Sequence, residues 1–174
     1  MRTNCSKIKI VADTSSLISL QTGDILALSL ELFDISVPEI VVTELKEVAG
    51  FNDTHGKSAR NVLKLIKENR IRVKELIVIS KTESRVDVGE MDCLNLCKQE
   101  QIPILVTDDW KALPKLIEQS ASINVVVSAF VIRSLLNKRM LTGDNAKAVL
   151  DKIARDRDWL ESKIYEESKK WLTK

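Results

Sequence analysis

Residues 89–109 read GEMDCLNLCKQEQIPILVTDD, and this stretch decides the fold. Its first half places Cys93, Leu94, Leu96 and Cys97 at helical spacing with Asp92 near the start, which predicts an amphipathic helix. Its second half, PILVTDDW at 103–110, is a short apolar run that turns acidic at its last residues. That is the pattern of a buried strand whose exit meets solvent or a ligand. The same arrangement opens the chain: IKIVA at 8–12 runs straight into Asp13-Thr14-Ser15-Ser16, residues that cap a following helix.

Working outward, DISVPEIVVTELKEVAG at 34–50 repeats strand and helix, with a brief strand at Ile35–Val37, Pro38 at the helix start and Glu44 in mid-helix. Residues 57–69 form another helix, its apolar side at Ala59, Val62, Leu63 and Ile66. Its other side carries Lys57, Arg60, Lys64 and Lys67 as a basic stripe. Strands are also expected at Ile71–Ile79 and 124–128, and helices at 129–138, 143–157 and 161–172. Regular alternation of strands and helices predicts a three-layer α/β/α fold with a mainly parallel sheet of four or five strands, followed by C-terminal helices. The expected organisation is a first unit over 1–135 and a helical extension over 136–174 packed on it, because no linker-like segment intervenes.

Composition narrows the functional classes. The 174 residues carry 27 basic and 25 acidic side chains, so no global field announces a nucleic-acid or membrane partner. Residues 128–174 are net basic and the remainder slightly acidic. No apolar run approaches a membrane span and the N-terminus lacks a signal-peptide pattern, which leads us to expect a cytoplasmic protein without a membrane partner. Cys93 and Cys97 stand one helical turn apart in an apolar stripe, so they are expected to be buried thiols rather than zinc ligands.

In an open parallel sheet, ligands bind beyond the carboxyl ends of the strands. Asp13 and the pair Asp108/Asp109 fall at two such ends, and Glu44 and Asp92 lie on helices that can return to the same edge. Taken singly, Asp13 reads equally as a helix cap, Asp92 as a favourable helix N-terminal charge and Glu44 as a solvated residue. Together, four converging carboxylates would repel one another unless neutralised, and a hard divalent cation with oxygen ligands is the natural neutraliser. The basic stripe reads either as a solvated face or as a contact for a phosphate backbone. Trp159 and Trp171 are expected to pack or dock rather than to stack on bases.

With these residues in view, the chain resembles the PIN domain, the metal-dependent nuclease fold of many prokaryotic toxins and RNA-processing factors. VADTSSLISL, VPEIVVTELKEV and the 89–109 stretch carry the resemblance over about residues 8–135. The tail resembles the extension of an uncharacterised prokaryotic branch. The resemblance implies Asp13, Glu44, Asp92 and Asp109 as catalytic acids, with Asp13, Asp92, Asp109 and Asp108 as ligands of Mg²⁺ or Mn²⁺. It implies that Glu90 competes for the third acidic position, that Thr14, Ser15 and Ser16 orient the first carboxylate and that Thr107 supports the last. Trp110-Lys111-Ala112 stands where relatives often carry Arg and small residues. The implied activity is endonucleolytic hydrolysis of RNA, toxin-like or in RNA processing, with RNA as partner, an antitoxin-like protein as a further partner and a homodimer as assembly. Two rivals are a catalytically inactive PIN module that binds RNA or protein, and a haloacid-dehalogenase-like phosphatase. The phosphatase needs a second Asp where this chain has Ser15.

Overall fold

The computed structural model describes residues 6–77, 88–120 and 122–173. Five strands form one sheet: β1 (Ile8–Ala12), β2 (Phe33–Pro38), β3 (Arg72–Lys74), β4 (Ile104–Val106) and β5 (Asn124–Val126). Every pairing is parallel and the order is β3-β2-β1-β4-β5. Helices flank the sheet, which makes the three-layer α/β/α architecture expected from the alternating pattern. They are α1 (Thr14–Thr22), α2 (Leu26–Leu32), α3 (Glu39–Ala49), α4 (Thr54–Lys67), α5 (Val88–Glu100) and α6 (Leu113–Gln119). The tail adds α7 (Ser128–Asn137), α8 (Gly143–Asp156) and α9 (Lys163–Thr173).

The central strands are buried because helices cover both faces, and their side chains are accordingly apolar without alternation. Ile10, Val11, Ala12, Ile35, Val37, Leu105 and Val106 are all fully buried. The edges differ. The expected strand over 71–79 is ordered as a strand only at Arg72–Lys74, and Ile77 is 82% exposed. Among the described residues β3 pairs with β2 alone, and an edge strand extended further would present a row of unpaired backbone groups. Residues 78 and 79 of that expectation, and the loop after them, lie outside the described residues. The helix α2, which precedes β2, had no counterpart in the sequence reading.

Chain order sets the position of the site. From β1 the chain moves to β2 and β3, and then crosses to the other side of β1 for β4 and β5. The order reverses between β1 and β4, so their carboxyl ends flank the crevice at which open α/β sheets bind ligands. Asp13 and Thr107-Asp108 are the residues that leave those two strands.

The tail shares the core. Ala146, Leu150, Ile153, Ala154, Trp159 and Ile164 belong to the same buried cluster as the sheet. Seating α8 on α1 depends on Gly23: a Cβ there would lie 2.9 Å from Ile153 Cδ1 and 3.1 Å from Val149 Cγ1. Lys152 on α8 also pairs with Asp24 just past α1. Trp159 is core, whereas Trp171 is 46% exposed.

Candidate active site at the strand exits

Asp13 is the N-cap of α1, and its Oδ1 accepts the Ser16 backbone N–H at 2.8 Å. The capping role raised by the sequence is therefore present, but it is only part of the geometry. The Thr107 hydroxyl, arriving from β4, donates to Asp13 Oδ2 at 2.7 Å. The Ser15 hydroxyl lies 2.9 and 2.8 Å from the two Asp13 carboxylate oxygens and also accepts the backbone N–H of Asp108 at 2.9 Å. Ser16 closes the seam by donating to the Val106 carbonyl at 2.9 Å. Three hydroxyls thus tie the two strand exits together and fix the Asp13 carboxylate from several sides.

The fourth strand brings two acids with different surroundings. Asp108 turns inward and is 7% exposed; its Oδ1 accepts the Ser128 N–H at 2.8 Å, and its Oδ2 is buried with no hydrogen-bond partner. Asp109 is half-buried and turns along its own loop, where its Oδ1 accepts the N–H groups of Lys111 at 2.8 Å and Ala112 at 3.1 Å. Burial pushes the Asp108 carboxyl up to about 6, and the nearby charge of Asp13 adds to the rise. Burial also raises Asp13, against the lowering effect of its hydrogen bonds to Ser16, Thr107 and Ser15.

Two helices bring the other acids towards this edge. On α3, Glu44 accepts the Thr14 hydroxyl at the first residue of α1. Gly89 gives Glu44 its room: a Cβ at that position would lie 2.1 Å from Glu44 Oε1. Asp92 stands on the first turns of α5, half-buried, with its carboxyl raised by burial. Glu90 is in the first turn of the same helix and also half-buried. Cys93 shows how these acids are gathered. Its thiol is pushed far up by burial first, and then by the charges of Asp13, Cys97, Glu44 and Asp92. One buried sulfur feels acids from β1, α3 and α5 at once. Both Cys93 and Cys97 are buried free thiols, as their stripe predicts, and burial lifts Cys97 to about 12.

Sequence reading missed Arg157, just past the end of α8. Burial lowers its pKa, while the charges of Asp108 and Asp13 oppose that change; its Nε is buried without a partner. A tail residue thus places a guanidinium within the electrostatic reach of both strand-exit acids. The signal was present, because Arg157 continues the spacing of Leu150, Ile153 and Ala154. A charged residue on a core stripe is rarely buried without a role.

The basic stripe on α4 is exposed at Lys57, Arg60, Lys64 and Lys67. Arg60 is committed to the protein itself, donating to the carbonyls of Ala49 at 2.6 Å and Phe51 at 3.0 Å. It satisfies chain ends left by α3. Lys64 lies 4.0 Å from Glu68 on the surface.

Among the described residues no three His, Cys, Asp or Glu side chains form a ready-made ion cage. The donor chemistry nevertheless fits a hard divalent cation. The groups are carboxylates and hydroxyls only, Asp108 keeps an orphaned buried oxygen, and burial holds Asp13, Asp92 and Asp108 at raised pKa. Such groups bind Mg²⁺ or Mn²⁺ in preference to softer ions.

The chain belongs to the PIN-domain family: a family model described as a PIN domain matches residues 9–174. The match runs through α8 and α9, so the helical tail that carries Arg157 lies inside it. No curated protein matches the chain.

Proposed function

We propose that this PIN-family chain is an endoribonuclease that hydrolyses RNA phosphodiesters with Mg²⁺ or Mn²⁺. The observation that carries the reading is the pair of buried acids, Asp13 and Asp108, at the point where the strand order reverses, with the Ser15 hydroxyl bonding the Asp13 carboxylate and the backbone N–H of Asp108. The fold is of nuclease type, and two buried acids, one of them with a carboxylate oxygen that lacks a hydrogen-bond partner, give a cation a reason to bind there. The residues that would hold it are Asp13, Asp108 and Asp92, with Glu44 and Asp109 around them. A bound ion would lower the pKa of the water it holds and neutralise charge developing on the phosphate.

The chain's own groups do the rest. Ser15, Thr107 and the Ser16 N–H hold the Asp13 carboxylate in one orientation, so no side-chain freedom is lost when the site fills. Thr14 holds Glu44 against α1, and Gly89 leaves the space that Glu44 occupies. Arg157 sets a positive charge within electrostatic reach of the acids, which lowers the cost of bringing a phosphodiester anion to that edge. The lysines of α4 would hold more distant phosphates. Ser15, which stands where a haloacid-dehalogenase-like phosphatase needs its second acid, is spent on orienting Asp13.

A non-catalytic module that binds RNA or protein is the rival. A scaffold gains nothing from a buried carboxylate with one unpartnered oxygen that costs stability. Cleavage of a single-stranded RNA measured with and without Mn²⁺, in wild type and Asp13→Asn, decides between them. We expect Mn²⁺-dependent cleavage that the substitution abolishes; identical behaviour of the two proteins would leave the non-catalytic reading.

A further inference from the structure

Next to the acid edge, a pocket of about 210 Å³ opens between β5 and the tail, lined by residues that include Trp110, Val127, Phe130, Glu167, Ser168 and Trp171. Its aromatic walls come from three places in the chain. Trp110 directly follows Asp109, Phe130 sits in the first turn of α7, and Trp171 is on α9. The protein has three Trp, three Phe and one Tyr, so nearly half of its aromatic side chains meet around this one cavity.

The walls are fixed. The Phe130 ring packs on Phe33 at 6.2 Å between centroids, and Arg133 on α7 donates to the Trp171 carbonyl. Trp171 nonetheless keeps 46% of its surface exposed. The pocket also contains a polar group without a partner: Ser168 is 1% exposed and its hydroxyl has no hydrogen bond. Helical serines usually return this proton to the carbonyl one turn back. Ser134 on α7 does so with Phe130 at 2.8 Å, and Ser29 on α2 with Ile25 at 2.8 Å. Ser168 is spared that bond and sits in the aromatic wall.

The size selects among occupants. Drug-sized ligands occupy roughly 300 to 1,000 Å³, so a cavity of about 210 Å³ admits one flat ring system rather than a helix or an extended peptide. Its position selects further, because Trp110 adjoins Asp109 and Val127 adjoins Ser128, whose N–H holds Asp108. A phosphate at the acid edge would carry its own nucleoside to this opening. We propose that the pocket seats one unpaired nucleobase of the RNA, stacked on Trp110 and Trp171, with Ser168 bonding to the base edge. This rests on the ribonuclease reading and adds to it a contact that selects single-stranded substrate.

The test uses full-length Asp13→Asn protein, which cannot turn over, and a short single-stranded RNA whose binding is followed by tryptophan fluorescence. A stacked base is worth about 1 to 3 kcal/mol, so Trp171→Ala should weaken binding by roughly fivefold to a hundredfold. Trp171→Phe, which keeps an aromatic face, should recover most of the affinity. Adenosine 5′-monophosphate should quench the fluorescence of the parent and displace the RNA. In the cleaving protein, Trp171→Ala should raise KM with kcat held within about threefold. Unchanged RNA affinity in Trp171→Ala overturns the subsite, as does a loss that Phe fails to rescue or an equal loss towards fully paired duplex. If the wild type cleaves no RNA, the nuclease reading falls while the binding comparison still decides the pocket.

Discussion

The strand-exit acids and the α4 cations are both clusters of like charge, and the protein treats them oppositely. Asp13 and Asp108 are buried, their strand exits tied by the Ser15 hydroxyl, and their carboxyls pushed towards protonation. Lys57, Lys64 and Lys67 are exposed on the far side of an amphipathic helix. A solvated like-charge face costs little because water and salt screen it. A buried one must be held against its own desolvation. The difference teaches that the first cluster is built and the second is only permitted. Substitutions at the acid edge should therefore move chemistry and stability strongly, whereas those on α4 should move salt dependence alone.

The largest expected effect is on activity. Asp13→Asn should lower Mn²⁺-dependent RNA cleavage on the order of a thousandfold or more, because it removes an orienting charge that acts with the ion as a unit. The same variant should lose most of the stabilisation that Mn²⁺ gives the wild type, which at a hundredfold excess over Kd amounts to about 2.7 kcal/mol. Thermal melts with and without the ion measure this. Equal Mn²⁺ shifts in the two proteins would break the comparison at its stronger end.

The next effect is on stability and has a definite sign. The folded-state pKa of Asp108 is about 6, raised from 3.8, so the folded protein binds this proton more tightly than the unfolded chain. Stability of the metal-free protein should fall as pH rises from about 4 to about 6 and then level off. Asp13, raised in the same direction, adds to the fall. Asp108→Asn keeps an acceptor for Ser128 and removes the charge. It should stabilise the metal-free protein at pH 7 by about 1 to 3 kcal/mol and flatten that slope. Denaturant melts across pH check it. A destabilised Asp108→Asn would mean that Arg157 already balances the charge.

An effect of similar size and opposite sign is expected at Ser15, whose hydroxyl serves both strand exits. Ser15→Ala leaves the Asp108 N–H without its acceptor and Asp13 with one donor fewer, which costs about 1 to 3 kcal/mol where both groups are buried. Removing a charge at the edge should thus help the empty protein, and removing a hydroxyl should hurt it.

These contrasts also show what the sequence could say. β-branched runs ending in acids located Asp13 and the pair Asp108/Asp109 at two strand ends, because burial on both faces leaves little choice of residue within a parallel strand. The stripe of Cys93 and Cys97 was legible for the same reason. Side-chain direction was not. TDD offers two adjacent acids, and only the backbone path after β4 sends Asp108 inward and Asp109 to the N–H groups of Lys111 and Ala112. Arg157 was marked by its place on the Leu150, Ile153 and Ala154 stripe, but the acids it faces, Asp13 and Asp108, lie more than forty residues away in sequence and no local spacing names them. The Trp110 and Trp171 pocket depends on tertiary placement that no local spacing encodes. The edge strand β3 was the weakest part of the reading, since its length follows its pairing with β2 rather than its own apolar content.

The smallest effect belongs to α4. Arg60 is unsuitable for charge reversal, because its guanidinium holds the Ala49 and Phe51 carbonyls and its loss would disturb the α3–α4 junction. Lys57 and Lys64 are better probes: both are exposed, and the Lys64 contact with Glu68 at 4.0 Å is a surface pair, worth at most about 1 kcal/mol. Lys57→Glu with Lys64→Glu should leave the melting temperature nearly unchanged. If both lysines touch phosphates, the slope of log affinity against log salt for single-stranded RNA should shrink by about 0.7 for each lost contact. An unchanged slope would return the whole stripe to a solvated face and sharpen the contrast, leaving the acid edge as the built half. A large fall in melting temperature would erase the contrast instead, because α4 would then be holding the fold together through its exposed charges.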